Sequence, residues 1–161
     1  MARHAGLAMD GRRRRTLIVS LAAGGFGAAS VRAAALPAPG SLASALALAL
    51  RNGQPLLVLA STDGCAWCKL VRDNYLEPLR REQGLQAVQL DLGSRAGLVD
   101  FAGAASTHEE LLRRWRVQVA PTLLFFGRDG REVAARLVGM APDFYGAYLD
   151  QRLAAARRSL A

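Results

Sequence analysis

Hydrophobic residues in the middle of the chain first recur at helical spacing and then form a continuous run. Leu42, Leu46 and Leu50 lie four residues apart and follow Ser41, a residue type that often caps the start of a helix. The run at 56–60 is entirely apolar, as in strands that are buried on both faces. This pattern predicts a helix that begins after Ser41, followed by a buried strand.

A second helix is predicted to begin near Cys65, soon after the buried strand. Apolar residues recur at helical spacing from Trp67 to Tyr75. Pro78 should break or kink this helix near Glu77, because proline lacks a backbone N–H and restricts the residue before it.

The later part of the chain alternates between strand-like and helix-like segments. The motif from Thr107 to Glu110 is a capping box, which predicts the start of a helix. Between 93 and 106 we expect irregular chain, with a short helix that includes Leu98, Val99 and Phe101. The other predicted elements are strands at 87–92, 122–126 and 132–138, a hairpin turn at 128–130 and a C-terminal helix from Pro142.

The predicted order of elements is α-β-α-β-α-β-β-α, and this order determines the expected fold class. Helices that alternate with strands and end in a hairpin indicate an α/β protein with a mixed central sheet of about four strands and helices on both faces. We expect a single domain at 41–156, preceded by a linker at 36–40 and followed by a C-terminal tail at 157–161.

The first 35 residues are typical of a secretory signal peptide. Four arginines at 12–15 precede an apolar stretch at 16–29, which is shorter than the ~20 residues that a membrane-spanning helix needs. Small residues allow cleavage near Ala33 or Ala35, and a retained anchor is the alternative. The arginine run also fits a twin-arginine signal, so both secretion routes stay open. Either route predicts a periplasmic protein that contacts the membrane only during export.

Charge does not indicate a nucleic-acid partner. The formal net charge is +8, but five of these eight charges lie in the first 33 residues. The rest of the chain shows no basic patch with interleaved aromatic residues, so nucleic-acid binding is not expected.

The chain has two cysteines, which form the motif Cys65-Ala-Trp-Cys68. A zinc site usually needs four ligands, and the only histidines are His4 and the distant His108, so no metal site is expected. Covalent haem attachment needs a histidine after the second cysteine, where Lys69 stands. A purely structural disulfide would close a very short loop, which stabilises little. We favour a redox role and keep the structural disulfide as the alternative.

The expected position at a helix start gives the two cysteines different roles. Unpaired backbone N–H groups and the helix dipole stabilise a thiolate there. Cys65 is nearest the loop and is the predicted nucleophile. Cys68 lies one turn further on the same face and is the predicted resolving cysteine. The pair supplies its own redox-active disulfide, so no cofactor is expected.

The sequence resembles the thioredoxin superfamily in more than this motif. The segment 115–123, with Pro121 before Thr122, is similar to the thioredoxin segment that holds a cis-proline, and the residues from Phe125 to Gly139 follow the thioredoxin hairpin in order and spacing. The resemblance implies a thioredoxin fold in which cis-Pro121 faces the cysteines. It also implies that Ala120, Pro121 and Trp67 contact the substrate.

Two departures from the thioredoxin pattern affect the expected chemistry. The residues between the cysteines are Ala66 and Trp67, and this dipeptide tunes the redox potential in the family. Leu59 stands where thioredoxins carry a buried acid that deprotonates the second cysteine. No carboxylate on the neighbouring strand can be named as its replacement from the sequence.

The segment 65–79 most resembles exported bacterial thioredoxins, including those of sulfur-oxidation (Sox) systems. This resemblance implies a periplasmic dithiol reductase of protein disulfides, with a membrane thiol-transfer protein as the electron donor. A disulfide oxidase or isomerase and a non-catalytic, redox-responsive binding protein are the alternatives.

Overall fold

The computed structural model describes residues 1–2 and 36–161. The predicted signal peptide and its cleavage sites lie almost entirely outside these residues. No helix in the described part of the chain is long and apolar enough to cross a membrane. The predicted linker at 36–40 lies against the domain, since Leu36 is buried and the carbonyl of Pro37 accepts a hydrogen bond from the N–H of Gln89 at 3.2 Å.

A mixed sheet of four strands forms the centre of the domain, as predicted. Its strands are β1 (Leu56–Ser61), β2 (Gln86–Asp91), β5 (Thr122–Phe126) and β6 (Glu132–Val138). They lie in the order β2-β1-β5-β6, in which β1 pairs parallel with β2 and antiparallel with β5, and β5 pairs antiparallel with β6. Each of the two central strands, β1 and β5, contains a continuous apolar run, at 56–60 and 123–126.

Helices cover both faces of this sheet. They are α1 (Leu42–Arg51), α2 (Ala66–Val71), α3 (Glu77–Gln83), α4 (His108–Arg114) and α5 (Tyr145–Arg158). Side chains of β1 alternate between two cores: Val58 packs with α1 and α4, whereas Leu57 and Leu59 pack with Val71 of α2 and with α5. Because β1 is buried on both faces, its C-terminal end is a rigid base for the loop that follows.

The prediction of a short helix at 98–101 is wrong. The structure has a two-stranded hairpin here, formed by β3 (Gly97–Val99) and β4 (Ala105–Thr107). The carboxylate of Asp100 accepts hydrogen bonds from the N–H groups of Ala102 and Ala104, both at 2.9 Å, and this closes the turn between the strands. The element is too short for its period to be read from the sequence.

Pro78 does not end the second helix. Residues Arg72–Leu76 form a π-helical turn between α2 and α3, and Pro78 then lies in the first turn of α3. Proline is tolerated at that position, so helical chain continues to Gln83. The predicted break near Glu77 is therefore absent, and the irregularity of the helix is the π-helical turn just before the proline.

The C-terminal helix begins at Tyr145, three residues after Pro142. It ends at Arg158, inside the segment predicted as a tail. Leu160 is also buried, and its carbonyl accepts a hydrogen bond from Arg128 at 3.1 Å. The last residues therefore lie against the domain.

Candidate active site

The cysteine pair lies where β1 passes into α2. Strand β1 ends at Ser61, and the N–H of Cys65 donates to the carbonyl of Thr62 at 3.3 Å, which closes a tight turn. Cys65 is the N-cap of α2, and Cys68 lies in its first turn. The pair is thus held between a fully buried strand and the start of a helix.

Cys65 and Cys68 form a disulfide, and their Cα atoms are 5.2 Å apart. Cys65 is partly exposed, whereas Cys68 is only 2 % exposed. The backbone N–H of Cys68 donates to Cys65 Sγ at 3.1 Å. This contact stabilises negative charge on Cys65 in particular, because a thiolate accepts a hydrogen bond better than a thiol does.

Three charged side chains lie on the helix beside the pair. Asp73 accepts from Lys69 Nζ at 2.5 Å and from Arg72 Nε at 2.8 Å. Burial alone would raise the pKa of Asp73, but the hydrogen bonds from Arg72 and Lys69 outweigh it and hold that pKa below its usual value. The carboxylate is therefore ionised near neutral pH and compensates part of the positive charge near the cysteines.

A groove of about 330 Å³ opens beside the disulfide. Both cysteines, the 62–64 turn and three charged residues of the loop and helix line its sides. The full lining is Ser61, Thr62, Asp63, Gly64, Cys65, Ala66, Cys68, Lys69, Arg72 and Gln89. This groove gives the buried sulfur of Cys68 a polar surrounding on one side.

The sequence did not single out Gln89 or Asp91, which lie on the strand next to β1. Leu59 is fully buried and is the register partner of Gln89 on β2. The amide of Gln89 donates to the carboxylate of Asp91 at 2.7 Å. The neighbouring strand therefore does carry a carboxylate, but Asp91 does not line the groove and is linked to it through Gln89. Only the strand register could have shown this.

The predicted substrate loop lies at the same end of the sheet. The Ala120–Pro121 peptide bond is cis, Pro121 is buried and Ala120 is partly exposed. Thr122 pairs with Ala60 of β1, next to the residue at which the cysteine loop begins. The carbonyl of Pro121 accepts a hydrogen bond from the N–H of Gly139 at 2.7 Å, which fixes the loop.

Exposed apolar side chains lie between the cysteines, on the Pro121 loop and at the end of β6. Trp67, between the cysteines, is 51 % exposed. Val119, just before the cis bond, and Val138, the partner of Thr122 in β6, are 49 % and 62 % exposed. Trp67 and the Pro121 loop thus present apolar surface to solvent, as a contact with another protein would need. The roles of Ala120, Pro121 and Trp67 in substrate binding stay predictions.

His108 lies apart from the cysteines and is buried. Its Nδ1 accepts a hydrogen bond from the N–H of Asp91 at 3.1 Å, so it helps to hold α4 on β2. Burial lowers the pKa of His108, and the charge of Asp91 offsets this only in part. No group of three or more His, Cys, Asp or Glu side chains in the described residues could hold a metal ion.

Comparison with known proteins identifies the family. The family model of the thioredoxin-like domain matches residues 42–152, which is more than half of the chain. The chain belongs to the thioredoxin-like family. No protein of curated function matches the sequence.

Solved structures show the same fold at low sequence identity. An oxidoreductase described as DsbH is 19 % identical, with a TM-score of 0.52, and the match covers 93 % of this chain and 95 % of that one. A thioredoxin from Thermus thermophilus is 23 % identical, with a TM-score of 0.50, and the match covers 74 % of this chain and 85 % of that one. These likenesses support the thioredoxin-like fold, which together with Cys65 and Cys68 suggests thiol–disulfide exchange.

Proposed function

We propose that this thioredoxin-like protein is a periplasmic dithiol reductase of protein disulfides. The observation that carries the thiol–disulfide exchange is the asymmetry of the pair at the start of α2, and the reductive direction rests on the resemblance of segment 65–79 to exported thioredoxins. Cys65 is accessible and accepts a backbone hydrogen bond, whereas Cys68 is buried behind it. An exposed, stabilised thiolate and a sheltered second thiol are what a two-step exchange requires.

The reaction begins from the dithiol form of the pair. The thiolate of Cys65 attacks one sulfur of the substrate disulfide, so the substrate S–S bond breaks and its other sulfur leaves as a thiolate. Cys68 then loses its proton to water and attacks Cys65 Sγ. The Cys65–Cys68 disulfide forms, the second substrate thiolate leaves, and two electrons have passed to the substrate.

A separate donor must return these electrons. The described residues hold no free cysteine once the disulfide has formed. The signal-like sequence at 1–35 supports export to an oxidising compartment, where a membrane thiol-transfer protein is the proposed donor. The resemblance of segment 65–79 to exported, Sox-type thioredoxins supports the same assignment.

Insulin reduction with a supplied dithiol tests the activity. We expect Cys65→Ser to abolish turnover, and Cys68→Ser to stop turnover while it accumulates mixed disulfides with the substrate. The control variant Ala47→Ser also introduces a serine, at an exposed position of α1, and should keep full activity. Normal turnover by either cysteine variant would contradict the mechanism. An inactive wild-type protein whose partner binding changes with redox state would instead support a binding role.

A disulfide oxidase is the second candidate. The hydrogen bond from the N–H of Cys68 stabilises a Cys65 thiolate and hence the dithiol state, which is the property of strongly oxidising pairs. The equilibrium of the pair with glutathione decides between the candidates. A reduction potential of about −270 mV supports the reductase, and one of about −120 mV supports the oxidase.

A further inference from the structure

The side chain of Gln89 has an unused hydrogen-bond acceptor beside the cysteines. Its Oε1 atom is buried, and no described residue donates to it. The other end of the amide donates to Asp91, and a carboxylate only accepts hydrogen bonds. The NH₂ group must therefore face Asp91, which leaves the carbonyl oxygen free for another donor.

Gln89 and Cys68 lie on the same side of the sheet. Gln89 is the parallel partner of Leu59, whose side chain packs with Val71 of α2, the helix that carries Cys68. Neighbouring residues in register point to the same face of a sheet. Both Gln89 and Cys68 line the groove beside the disulfide, so their side chains belong to the same site.

The two cationic groups in this groove already have a partner. Lys69 Nζ and Arg72 Nε both donate to Asp73. Cys68 cannot donate in the disulfide form, but it gains an S–H group when the pair is reduced. Cys65 has the solvent and the N–H of Cys68 to stabilise it as a thiolate. Cys68 is only 2 % exposed, so its S–H has little contact with solvent and can donate instead to an acceptor inside the protein.

We propose that Gln89 is a positioning residue whose Oε1 accepts a hydrogen bond from the Cys68 thiol in the dithiol state. In reduction, two thiols of the donor (the membrane thiol-transfer protein, or glutathione in the assay) give two electrons to the Cys65–Cys68 disulfide and form a disulfide themselves. Cys68 takes up a proton from a donor thiol or from water and its S–H points at Oε1, while Cys65 remains a thiolate or also takes up a proton. The bond exists only in the reduced state, so Gln89 stabilises the dithiol and raises the reduction potential of the pair. This inference rests on the proposed exchange chemistry.

The test is the equilibrium between the pair and glutathione, measured by alkylation of free thiols. Gln89→Met and Gln89→Leu replace the amide with an apolar side chain of similar size, and so remove both the acceptor Oε1 and the donor to Asp91. We expect both to shift the equilibrium about tenfold toward the disulfide, which corresponds to a potential about 30 mV lower. Gln86→Leu, at the other end of β2, removes an amide that donates to the carbonyl of Gly84 and should leave the equilibrium unchanged.

Urea unfolding of both redox forms gives an independent measurement. The thermodynamic cycle requires Gln89→Met to lower the free energy of unfolding of the dithiol form more than that of the disulfide form. The difference must correspond to the roughly tenfold shift of the glutathione equilibrium. An unchanged equilibrium in both Gln89 variants, or equal destabilisation of the two forms, would overturn the assignment. A wild-type pair that does not exchange with glutathione would contradict the proposed function itself.

Discussion

The turn between β5 and β6 offers a quantitative test of the packing, because Gly130 leaves no room for a side chain. Gly130 has φ +65°, and a Cβ atom built there would lie 2.5 Å from Cγ and 2.6 Å from Cβ of Phe101. These atoms are close to the backbone of Phe101 and cannot move aside cheaply. The ring itself is held by Phe126 and Trp115, with centroids at 4.8 and 5.9 Å.

Two separate costs follow for Gly130→Ala. An L-residue in the left-handed conformation costs about 1–2 kcal/mol, and an extra methyl group in a filled site costs about 1–3 kcal/mol. The sum is about 2–5 kcal/mol, or a fall in Tm of about 8–20 °C for a domain of this size. Gly53 is the matched control, because it has the same φ of +65° and nothing within 4 Å of a built Cβ.

Thermal unfolding followed by circular dichroism compares the two variants. Gly53→Ala should show only the backbone cost, a fall in Tm of about 4–8 °C. The Tm of Gly130→Ala should fall further. The glutathione equilibrium of its cysteine pair should stay unchanged, because Gly130 does not line the groove. Equal falls in Tm would refute the contact between Gly130 and Phe101.

Two further predictions concern charge. Asp73→Asn leaves Lys69 and Arg72 without a counter-charge near the pair, which favours the Cys65 thiolate. Alkylation of the dithiol form should become faster, by roughly two- to five-fold in low salt, whereas Glu77→Gln should change nothing because Glu77 pairs with Arg80 outside the groove. Burial lowers the pKa of His108 in the folded protein. As the pH falls below the unfolded value of 6.5, the unfolded chain therefore binds a proton at His108 more readily than the folded chain does. The free energy of unfolding in urea should therefore decrease from pH 7.5 to 5.5, and a wild-type slope retained in His108→Asn would contradict this origin.

The sequence predicted the elements whose signal is local. The apolar runs of β1 and β5, the Ser41 cap and the capping box at Thr107 all lie where the pattern put them. The β3–β4 hairpin was missed because each strand has only three residues, too few for a period to be read from the sequence. Asp100 holds its turn and also accepts a hydrogen bond from Arg114 at 3.1 Å, fourteen residues away.

In the candidate site too, some residues follow from the local sequence pattern and others do not. The motif itself located Cys65 and Cys68, and its position after an apolar strand predicted their place at a helix start. Gln89 could not be found from local pattern, because its role depends on the register of β2 against β1. A glutamine in a strand gives no signal until its neighbour across the sheet is known.

If Gln89 has the proposed role, Leu59 and Gln89 together provide the buried Cys68 thiol with a neutral hydrogen-bond acceptor in place of a buried charge. Leu59 lies in a fully buried core, where an ionised carboxylate would lose its hydration and destabilise the fold. Gln89, which lines the groove, carries a neutral carbonyl instead, and its NH₂ group donates to the carboxylate of Asp91. A neutral acceptor costs less to bury than a carboxylate, but it cannot take a proton. In the proposed mechanism the proton of Cys68 must therefore leave through water in the groove, so the resolving step depends on solvent access there as well as on the thiol itself.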